Sequence, residues 1–420
     1  MFSLSKHSIW FIYALTILFC FFFFSHTDPI YTLSASFSYL KGHISDFYDF
    51  NSKEIGEVVY LPTVYGLIAV WFLPFKWLSG LNFNDLQIFL SDTPMNQLYG
   101  FTYTSILLWY KLLLVFLSYL TFSFFKKISI LIPQNTIKNE LALITSPFAI
   151  FSVLIFSGYD IFGVFFTILG LYYYLKKDVI KFAAAFSFAI SCKFFAVIIF
   201  IPLLLLVEKN ILRIVQLSFF AISLCVIYFL FYMSNESFVD NVLLIAKQKS
   251  SSDSLISIKH LCGLIYLGVC FYAYKIKKMT YSLFVNKTIF ISYISYLLMF
   301  FAVKWHPNWI LLIVPFMALS YSYIKSYAWV FWLEFFGFIS FVILISNIWV
   351  DNVDQMMLIH GPLSKLIGET YFFRIADVLN IHSLDALGIH LKPFLLLAFY
   401  AYLLHPLLIL FSESYAKKKN

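Results

Sequence analysis

Long apolar runs recur along this chain, and they limit the folds it can adopt more than any other feature. Ser8–Phe24 is the first run, Phe101–Phe125 the clearest and Leu391–Phe411 the last. A helix of about 20 apolar residues crosses the hydrocarbon core of a bilayer. Only 12% of the residues are charged, against about 25% in soluble domains. The sequence therefore predicts an all-α, polytopic bundle of transmembrane helices that forms a single domain over residues 1–420.

Further apolar segments lie between these runs and bring the expected total to about 11 to 13 membrane segments. Their ranges are 58–78, 141–157, 161–175, 181–191, 194–207, 214–233, 261–274, 289–303, 309–323 and 327–348. The segment 58–78 contains Pro62 and Pro74, so it either crosses the membrane or enters and returns on the same side. The segments 181–191 and 194–207 are too short to span a bilayer alone, and we interpret them as half-helices that meet at Lys193.

Positive charges stand in short clusters between the apolar runs, such as Lys126-Lys127 and Lys417-Lys418-Lys419. Loops rich in Lys and Arg tend to stay on the cytoplasmic side of a membrane. The net charge of +8 therefore indicates orientation in a lipid bilayer and predicts no nucleic-acid partner. Counting spans from these clusters places five segments on the opposite, extracytoplasmic side. They are 25–57, the turn 158–160, 234–260, 304–306 and 349–392.

Acidic and aromatic residues concentrate in the first of these loops, residues 25–57. Asp28 directly follows the first span, where lipid gives way to water, and Asp46, Tyr48 and Asp49 come one short helix later. Residues 29–40 alternate apolar and hydroxyl side chains, which suits a helix that lies on the bilayer surface. The last long loop, 349–392, has apolar residues at helical spacing, and we expect a second interfacial helix or a lid there.

The motifs of this first loop resemble those of a known family. Asp28-Pro29-Ile30-Tyr31 followed by Phe47-Tyr48-Asp49 is similar to the first lumenal loop of the integral-membrane, polyprenyl-phosphate-sugar-dependent glycosyltransferases, the GT-C superfamily. Within that superfamily the pattern is closest to the mannosyltransferase-like members. Tyr60-Leu61-Pro62-Thr63 resembles the Tyr-Pro-Pro start of the family's next helix, with Thr63 in place of the second Pro.

Three later stretches continue the resemblance in the expected order. Ser157-Gly158-Tyr159-Asp160 resembles the family's Gly-Gln-x-Asp turn, although Tyr stands in place of Gln. The stretch from Lys193 to Pro202 is similar to its Lys-x-x-Pro junction of two half-helices, although no Pro directly follows Lys193. His306-Pro307-Asn308-Trp309 resembles its late His motif. Taken together, the resemblance covers residues 28–315.

The resemblance implies an enzyme that transfers a hexose, mannose by analogy, on the extracytoplasmic side with inversion. The donor would be a polyprenyl-phosphate-linked sugar, and the acceptor a glycolipid or a cell-surface glycan. Such a transfer needs a base that takes the proton of the attacking hydroxyl and positive charge that stabilises the leaving phosphate. We expect Asp28 to be the base, and His306 to contact the phosphate or to shuttle a proton.

The remaining expected site residues would bind substrate; they are Asp46, Tyr48, Asp49, Asp160, Lys193 and Lys304. Each candidate also has a simpler structural interpretation, such as a helix-end or loop carboxylate, a paired or snorkelling lysine, or an aromatic belt at the membrane interface. No metal-ligand spacing is present, and we expect no metal and no cofactor. Two other functions stay open, namely a lipid or solute transporter or flippase and an oligosaccharide polymerase or ligase.

Overall fold

The chain is helical throughout the part that the structure describes. The computed structural model describes residues 6–80, 101–132, 136–244, 256–277, 279–303, 305–324, 328–348, 361–367 and 391–419. Helices make up 85% of the structure, and no strand occurs in these ranges. The prediction of an all-α fold is therefore confirmed.

The main helices follow one another with short connections. They are α1 (Lys6–Phe23), α2 (Asp28–Leu40), α3 (Phe47–Glu54), α4 (Pro62–Ser79), α5 (Phe101–Leu131), α6 (Thr136–Thr145), α7 (Asp160–Leu175), α8 (Val179–Cys192), α9 (Val197–Val207), α10 (Ile211–Tyr232), α11 (Ile256–Lys275), α12 (Tyr281–Ala302), α13 (Val314–Ser320), α14 (Ala328–Ile348) and α15 (Leu391–Lys419). Shorter turns that join them include a π turn at Phe151–Ile155 and 3-10 turns at Phe194–Ala196 and Pro307–Leu312.

Several of these helices are long and apolar enough to cross a bilayer. They are α5, α10, α12, Trp329–Ser346 of α14 and Pro393–Leu410 of α15. The described ranges contain five such helices, or up to seven if each of two bent pairs forms one span. The apolar helices α7 and α8 and the stretch Phe194–Val207 are shorter. These helices indicate a multi-pass membrane protein, and the total of about 11 to 13 segments stays a prediction.

Two of the expected membrane segments are bent. α1 and α2 meet at an angle of 61°, with Pro29 in the first turn of α2. The expected segment 141–157 is divided between α6 and Pro147–Ile155, which are bent by 41°. Pro lacks the backbone N–H that would continue a helix and disfavours a helical conformation in the residue before it. The predicted interfacial helix over 29–40 is thus observed as α2, and its placement on the bilayer surface stays a prediction.

The centre of the fold is a hairpin of the two short helices α7 and α8. α7 also packs against α5, and α8 against α10. The two helices approach closely at Gly170, where an added Cβ would lie 2.6 Å from the ring of Phe186. A side chain at that position would push the helices apart. The hairpin therefore holds the start of α7 and the end of α8 side by side, and these are the two places where Asp160 and Lys193 lie.

A buried lysine joins the hairpin to the first helix. The Lys111 side chain, on α5, is fully buried. Its Nζ donates hydrogen bonds to the carbonyls of Cys20 at 3.2 Å, Phe24 at 2.6 Å and Leu154 at 2.8 Å. Carbonyls at a helix end have no partner within the helix, so the ammonium satisfies groups at the end of α1 and in the π turn. Lys111 therefore fixes the end of α1 next to the chain that leads into α7.

We expect Lys111→Met to lower the thermal unfolding midpoint of the protein in detergent. Methionine fills a similar volume but leaves three buried carbonyls without a donor, and each such loss costs about 1–3 kcal/mol. Lys126→Met is the matched control, because Lys126 lies on the same helix with an exposed side chain. Equal midpoints for the two variants would show that the Lys111 contacts contribute nothing to stability.

Candidate functional site

Four of the residues singled out from the sequence lie together where helix ends meet. Asp28 is the first residue of α2, directly after α1, and Asp160 is the first residue of α7. Lys193 follows the last residue of α8, and His306 lies just beyond the end of α12. The cluster is therefore built from residues that are distant in sequence and that the ends of four different helices position.

Loops that were predicted to share one side of the membrane contact one another here. The backbone N–H of His26 donates to the carbonyl of Phe156, before α7. The side chain of Asn235, after α10, donates to the carbonyl of Ser45 in the first loop, and the N–H of Leu363 donates to the end of α1. His306 follows α12 and faces Asp28. All five predicted loops therefore have described residues at the same end of the bundle.

The innermost part of the cluster is an ion pair between Lys193 and Asp160. Lys193 Nζ lies 2.6 Å from Asp160 Oδ1, and the two side chains are 3% and 1% exposed. The ammonium also lies over two aromatic rings, 4.8 Å from the centroid of Tyr60 and 4.6 Å from that of Trp309. Aromatic faces attract cations, more strongly when water is excluded. The pair is therefore charged on both sides and closed off from solvent by an aromatic wall.

Local backbone geometry explains why Lys193 can face Asp160. α8 ends at Cys192, and Lys193 adopts an extended conformation before the 3-10 turn of Phe194–Ala196 begins. An added Cβ on Gly163 would lie 2.9 Å from Lys193 Cβ. The glycine one turn into α7 thus makes room for the lysine stem. This arrangement agrees with the sequence interpretation of two half-helices that meet at Lys193.

Asn308 links the ion pair to His306. Its Nδ2 donates a hydrogen bond to Asp160 Oδ2, and its Oδ1 lies 2.6 Å from His306 Nδ1. The amide also packs against Gly158, where an added Cβ would lie 2.7 Å from Nδ2. Glycine at this turn therefore permits the close approach of Asn308 to Asp160. We refer to Asp28, His306, Asn308, Asp160 and Lys193 as the polar cluster.

Asp28 forms the open end of the polar cluster. Its Oδ1 lies 3.1 Å from Nδ1 of His26, and its Oδ2 lies 3.8 Å from Nε2 of His306. The Asp28 and His306 side chains are 37% and 31% exposed, whereas His26 is buried. His26 stacks on Phe156, with ring centroids 4.2 Å apart. One carboxylate oxygen is thus held by His26, and the other faces His306 across a gap too wide for a direct hydrogen bond.

The turn that carries Asp160 has an unusual backbone. A π turn over Phe151–Ile155 comes directly before it, and Ser157 has a φ of +62°. Serine rarely adopts this left-handed conformation, and such strain, like single π turns, tends to occur at functional sites. The Ser157 carbonyl accepts a hydrogen bond from Tyr110 at 3.1 Å, which holds the strained residue in place next to Asp160.

Burial lowers the pKa of His306 below its usual value, although the Asp28 carboxylate and the hydrogen bond with Asn308 both act to raise it. Removing a charged imidazolium from water is unfavourable, and here that cost exceeds the attraction to Asp28. His306 is therefore neutral at pH 7, and it gains its proton only when the solution becomes more acidic than is usual for histidine.

The other expected site residues of the first loop lie in a second group of contacts. Asp46 pairs with His43 at 3.0 Å and is exposed. Asp49 Oδ1 accepts from the backbone N–H of Ser237 at 3.0 Å. Tyr48 is fully buried and donates to the carbonyl of Tyr60 at 2.8 Å. Because the Tyr60 ring lies against Lys193, Tyr48 connects this group to the polar cluster, whereas Asp46 and Asp49 contact loop residues.

Two expected features fall outside the described residues. Lys304 is one of them. The other is most of the last loop, 349–392, in which the structure describes 361–367 and the start of α15. Residues 361–367 do contribute to the same end of the bundle, because the Pro362 carbonyl accepts a hydrogen bond from Thr104 on α5.

Sequence reasoning missed three residues that hold the polar cluster together, namely His26, Asn308 and Lys111. Each had a signal that could have identified it. His26 lies two residues before Asp28, and Asn308 two residues after His306, inside motifs that were already noted. Lys111 is a basic residue in the middle of an apolar run, where an ionisable side chain needs a partner.

A cavity of about 300 Å³ lies beside the polar cluster and is lined almost wholly by apolar groups. Its walls include Tyr13 and Ile17 of α1 and a face of α5. Ile161, the neighbour of Asp160, and Leu311 also line it. The cavity therefore extends from the immediate surroundings of the polar cluster along the apolar flanks of α1 and α5, and it offers space for a chain rather than for a polar molecule.

Comparisons with known proteins identify no relative of this chain. No family model, no curated protein and no solved structure matches it.

Proposed function

We propose that this protein is a membrane glycosyltransferase of the GT-C type that uses a polyprenyl-phosphate-linked hexose, mannose by analogy. A hydroxyl of a glycolipid or glycan acceptor attacks C1 of the sugar, and Asp28 takes its proton. The bond between C1 and the phosphate oxygen breaks in the same step, and polyprenyl phosphate leaves with the electron pair. The configuration at C1 is inverted.

The observation that carries this proposal is the meeting of Asp28, His306, Asp160 and Lys193 in one cluster. Asp28 is an accessible carboxylate, with one oxygen held by His26 and the other open. A base must be able to reach the hydroxyl it deprotonates, and Asp28 is the carboxylate of the polar cluster that meets this condition. Asp160 is 1% exposed and paired with Lys193, which suits it for holding the cluster in place.

The apolar cavity supports a lipid-linked donor. A polyprenyl chain is a long hydrocarbon, and each buried CH₂ group contributes about 0.8 kcal/mol. With Ile161 in the cavity wall and Asp160 in the cluster, a chain in the cavity would place its phosphate near His306 and Asp28. The phosphate group is then near His306, which can become a cation when it is protonated.

The experiment that tests the function is transfer by the purified protein in nanodiscs, from defined polyprenyl-phosphate hexoses to extracted lipid acceptors. We expect release of polyprenyl phosphate and formation of an inverted glycoside, with a higher KM for a donor that has a short lipid chain. If no donor is consumed and a lipid or solute crosses proteoliposomes instead, the protein is a transporter. Polymerisation of a preformed oligosaccharide would indicate a polymerase or ligase.

The proposal also requires the polar cluster to face the extracytoplasmic side. Ser45 is exposed near this end of the bundle, and Lys177 is exposed after the far end of α7, about 25 Å away along a helix of this length. We expect an impermeant maleimide to label Ser45→Cys in intact cells, and to label Lys177→Cys only after permeabilisation. The reverse pattern would place the site in the cytoplasm and would contradict use of an extracytoplasmic donor.

A further inference from the structure

We infer that Asn308 is a positioning residue that holds His306 in the tautomer with the proton on Nδ1, so that the unprotonated Nε2 faces Asp28. This inference concerns the same site as the proposed function, and only its catalytic consequence rests on that function.

The tautomer follows from the hydrogen bonds of the polar cluster, taken from the buried end outward. Lys193 is an ammonium and can only donate, and Asp160 beside it is an ionised carboxylate that can only accept. Asn308 must therefore present its NH₂ group to Asp160, as the structure shows, and its carbonyl oxygen to His306. A carbonyl oxygen accepts but cannot donate, so His306 Nδ1 must carry the hydrogen of the 2.6 Å contact.

A neutral imidazole has one protonated nitrogen, so a hydrogen on Nδ1 leaves Nε2 with a lone pair. Nε2 lies 3.8 Å from Asp28 Oδ2. Because burial keeps His306 neutral at pH 7, two proton acceptors face each other across the open end of the cluster. In the other tautomer Nε2 would already carry a hydrogen and could not take another without losing one from Nδ1.

This arrangement gives the proton a path after each transfer. Asp28 takes the proton of the acceptor hydroxyl, and His306 Nε2 then accepts it from Asp28. The imidazolium that forms is stabilised through Asn308 by Asp160, and it passes the proton to the departing phosphate or to water. Asp28 returns to the carboxylate form that the next cycle needs. Asn308 touches neither substrate nor the reacting atoms and acts through His306.

The experiment is ¹⁵N NMR of histidine-labelled full-length protein in nanodiscs at pH 7.5, with the His306 signals identified by their absence in His306→Gln. We expect the wild-type protein to show a protonated Nδ1 and an unprotonated Nε2 at His306. Asn308→Leu should shift the population toward the Nε2-protonated form, because Nδ1 loses its acceptor. Asn286→Leu is the control, since it removes a buried amide on α12 that bonds to Tyr323.

The pH dependence provides a second readout. The charged and titratable groups around His306 are Asp28, His26 and Lys193, with Asp160 behind Asn308. We expect Asn308→Leu to lower kcat by about 10–100-fold, as loss of an outer partner of a histidine does, with the donor KM changed less than about 3-fold. The pKa of His306, followed by NMR, should fall further, because the imidazolium loses its link to Asp160.

The outcomes separate this inference from the proposed function. A protonated Nε2 in the wild-type protein, or an unchanged tautomer in Asn308→Leu, overturns the positioning role even if the enzyme transfers sugar. If the tautomer shifts as expected and no preparation transfers sugar, the positioning of His306 stands and the proposed function fails. A changed tautomer with an unchanged kcat would confirm the positioning and would overturn the proton path through His306.

Discussion

Asp28→Asn is expected to lower the turnover of glycosyl transfer by about 10³-fold, within the range of 10²–10⁴ that general acid–base groups contribute. Asparagine has nearly the same shape as aspartate but cannot take a proton from the acceptor hydroxyl. The donor KM should change little, because neither oxygen of Asp28 lies among the buried groups of the ion pair. The measurement is kcat and KM with a defined polyprenyl-phosphate sugar and saturating acceptor.

The matched control for this variant is Asp178→Asn. Asp178 caps the start of α8 and pairs with Lys181 at 2.8 Å, at the opposite end of the hairpin from Asp160. It should keep normal turnover. Unchanged turnover in Asp28→Asn would contradict its assignment as the base. Asp49→Asn and Asp46→Asn then test the reserve candidates of the first loop, and a large loss in one of them would move the base to that residue.

Lys193→Met is expected to cause the largest loss of stability. Removal of one partner from a buried ion pair leaves the other charge uncompensated, and this costs about 3–5 kcal/mol. Asp160 is 1% exposed, and without the ammonium its negative charge would face the rings of Tyr60 and Trp309. Aromatic faces attract cations, so they do not stabilise a carboxylate. We expect a lower unfolding midpoint in detergent and loss of the monodisperse peak on size exclusion.

Asp160→Asn should destabilise the protein less than Lys193→Met does. The lysine ammonium would keep its contacts with the rings of Tyr60 and Trp309, which contribute about 2 kcal/mol when water is excluded. The double variant Lys193→Met with Asp160→Asn should recover part of the loss, since it leaves no unpaired charge. Equal or additive losses would show that the two residues do not stabilise each other.

An exposed ion pair in the same protein provides the comparison for these variants. Lys181 and Asp178 lie 2.8 Å apart with side chains 62% and 33% exposed. Water screens such a pair, and its net contribution is small. Lys181→Met should therefore leave the unfolding midpoint almost unchanged. If it lowered the midpoint as much as Lys193→Met, burial would not be the reason for the large effect at Lys193.

Apolar runs of about 20 residues with few charges admit few structures other than membrane helices, so the sequence alone predicted the helical, multi-pass class. It also predicted the break at Lys193, because two short apolar segments with a charge between them cannot form one continuous span. The bends near Pro29 and Pro147 follow from the missing N–H of proline. Such features depend on residues that are close in the chain, which is why they can be read without a structure.

Contacts between distant residues were decided by the tertiary structure. The motifs suggested Asp28, Asp160, Lys193 and His306 separately, and the packing of the α7–α8 hairpin is what places Lys193 against Asp160. Sequence position alone could not show that Asn308 joins these residues to His306, or that Asp46 and Asp49 bond to residues of the loops instead.

The sequence by itself thus determined the class of the protein, since apolar length and charge act locally and set each helix in the bilayer. Only the tertiary structure decided which of its acids is buried and paired and which is open to a substrate. Burial and ion pairing depend on what the rest of the fold brings within a few ångströms of a side chain, and spacing along the chain does not determine those neighbours.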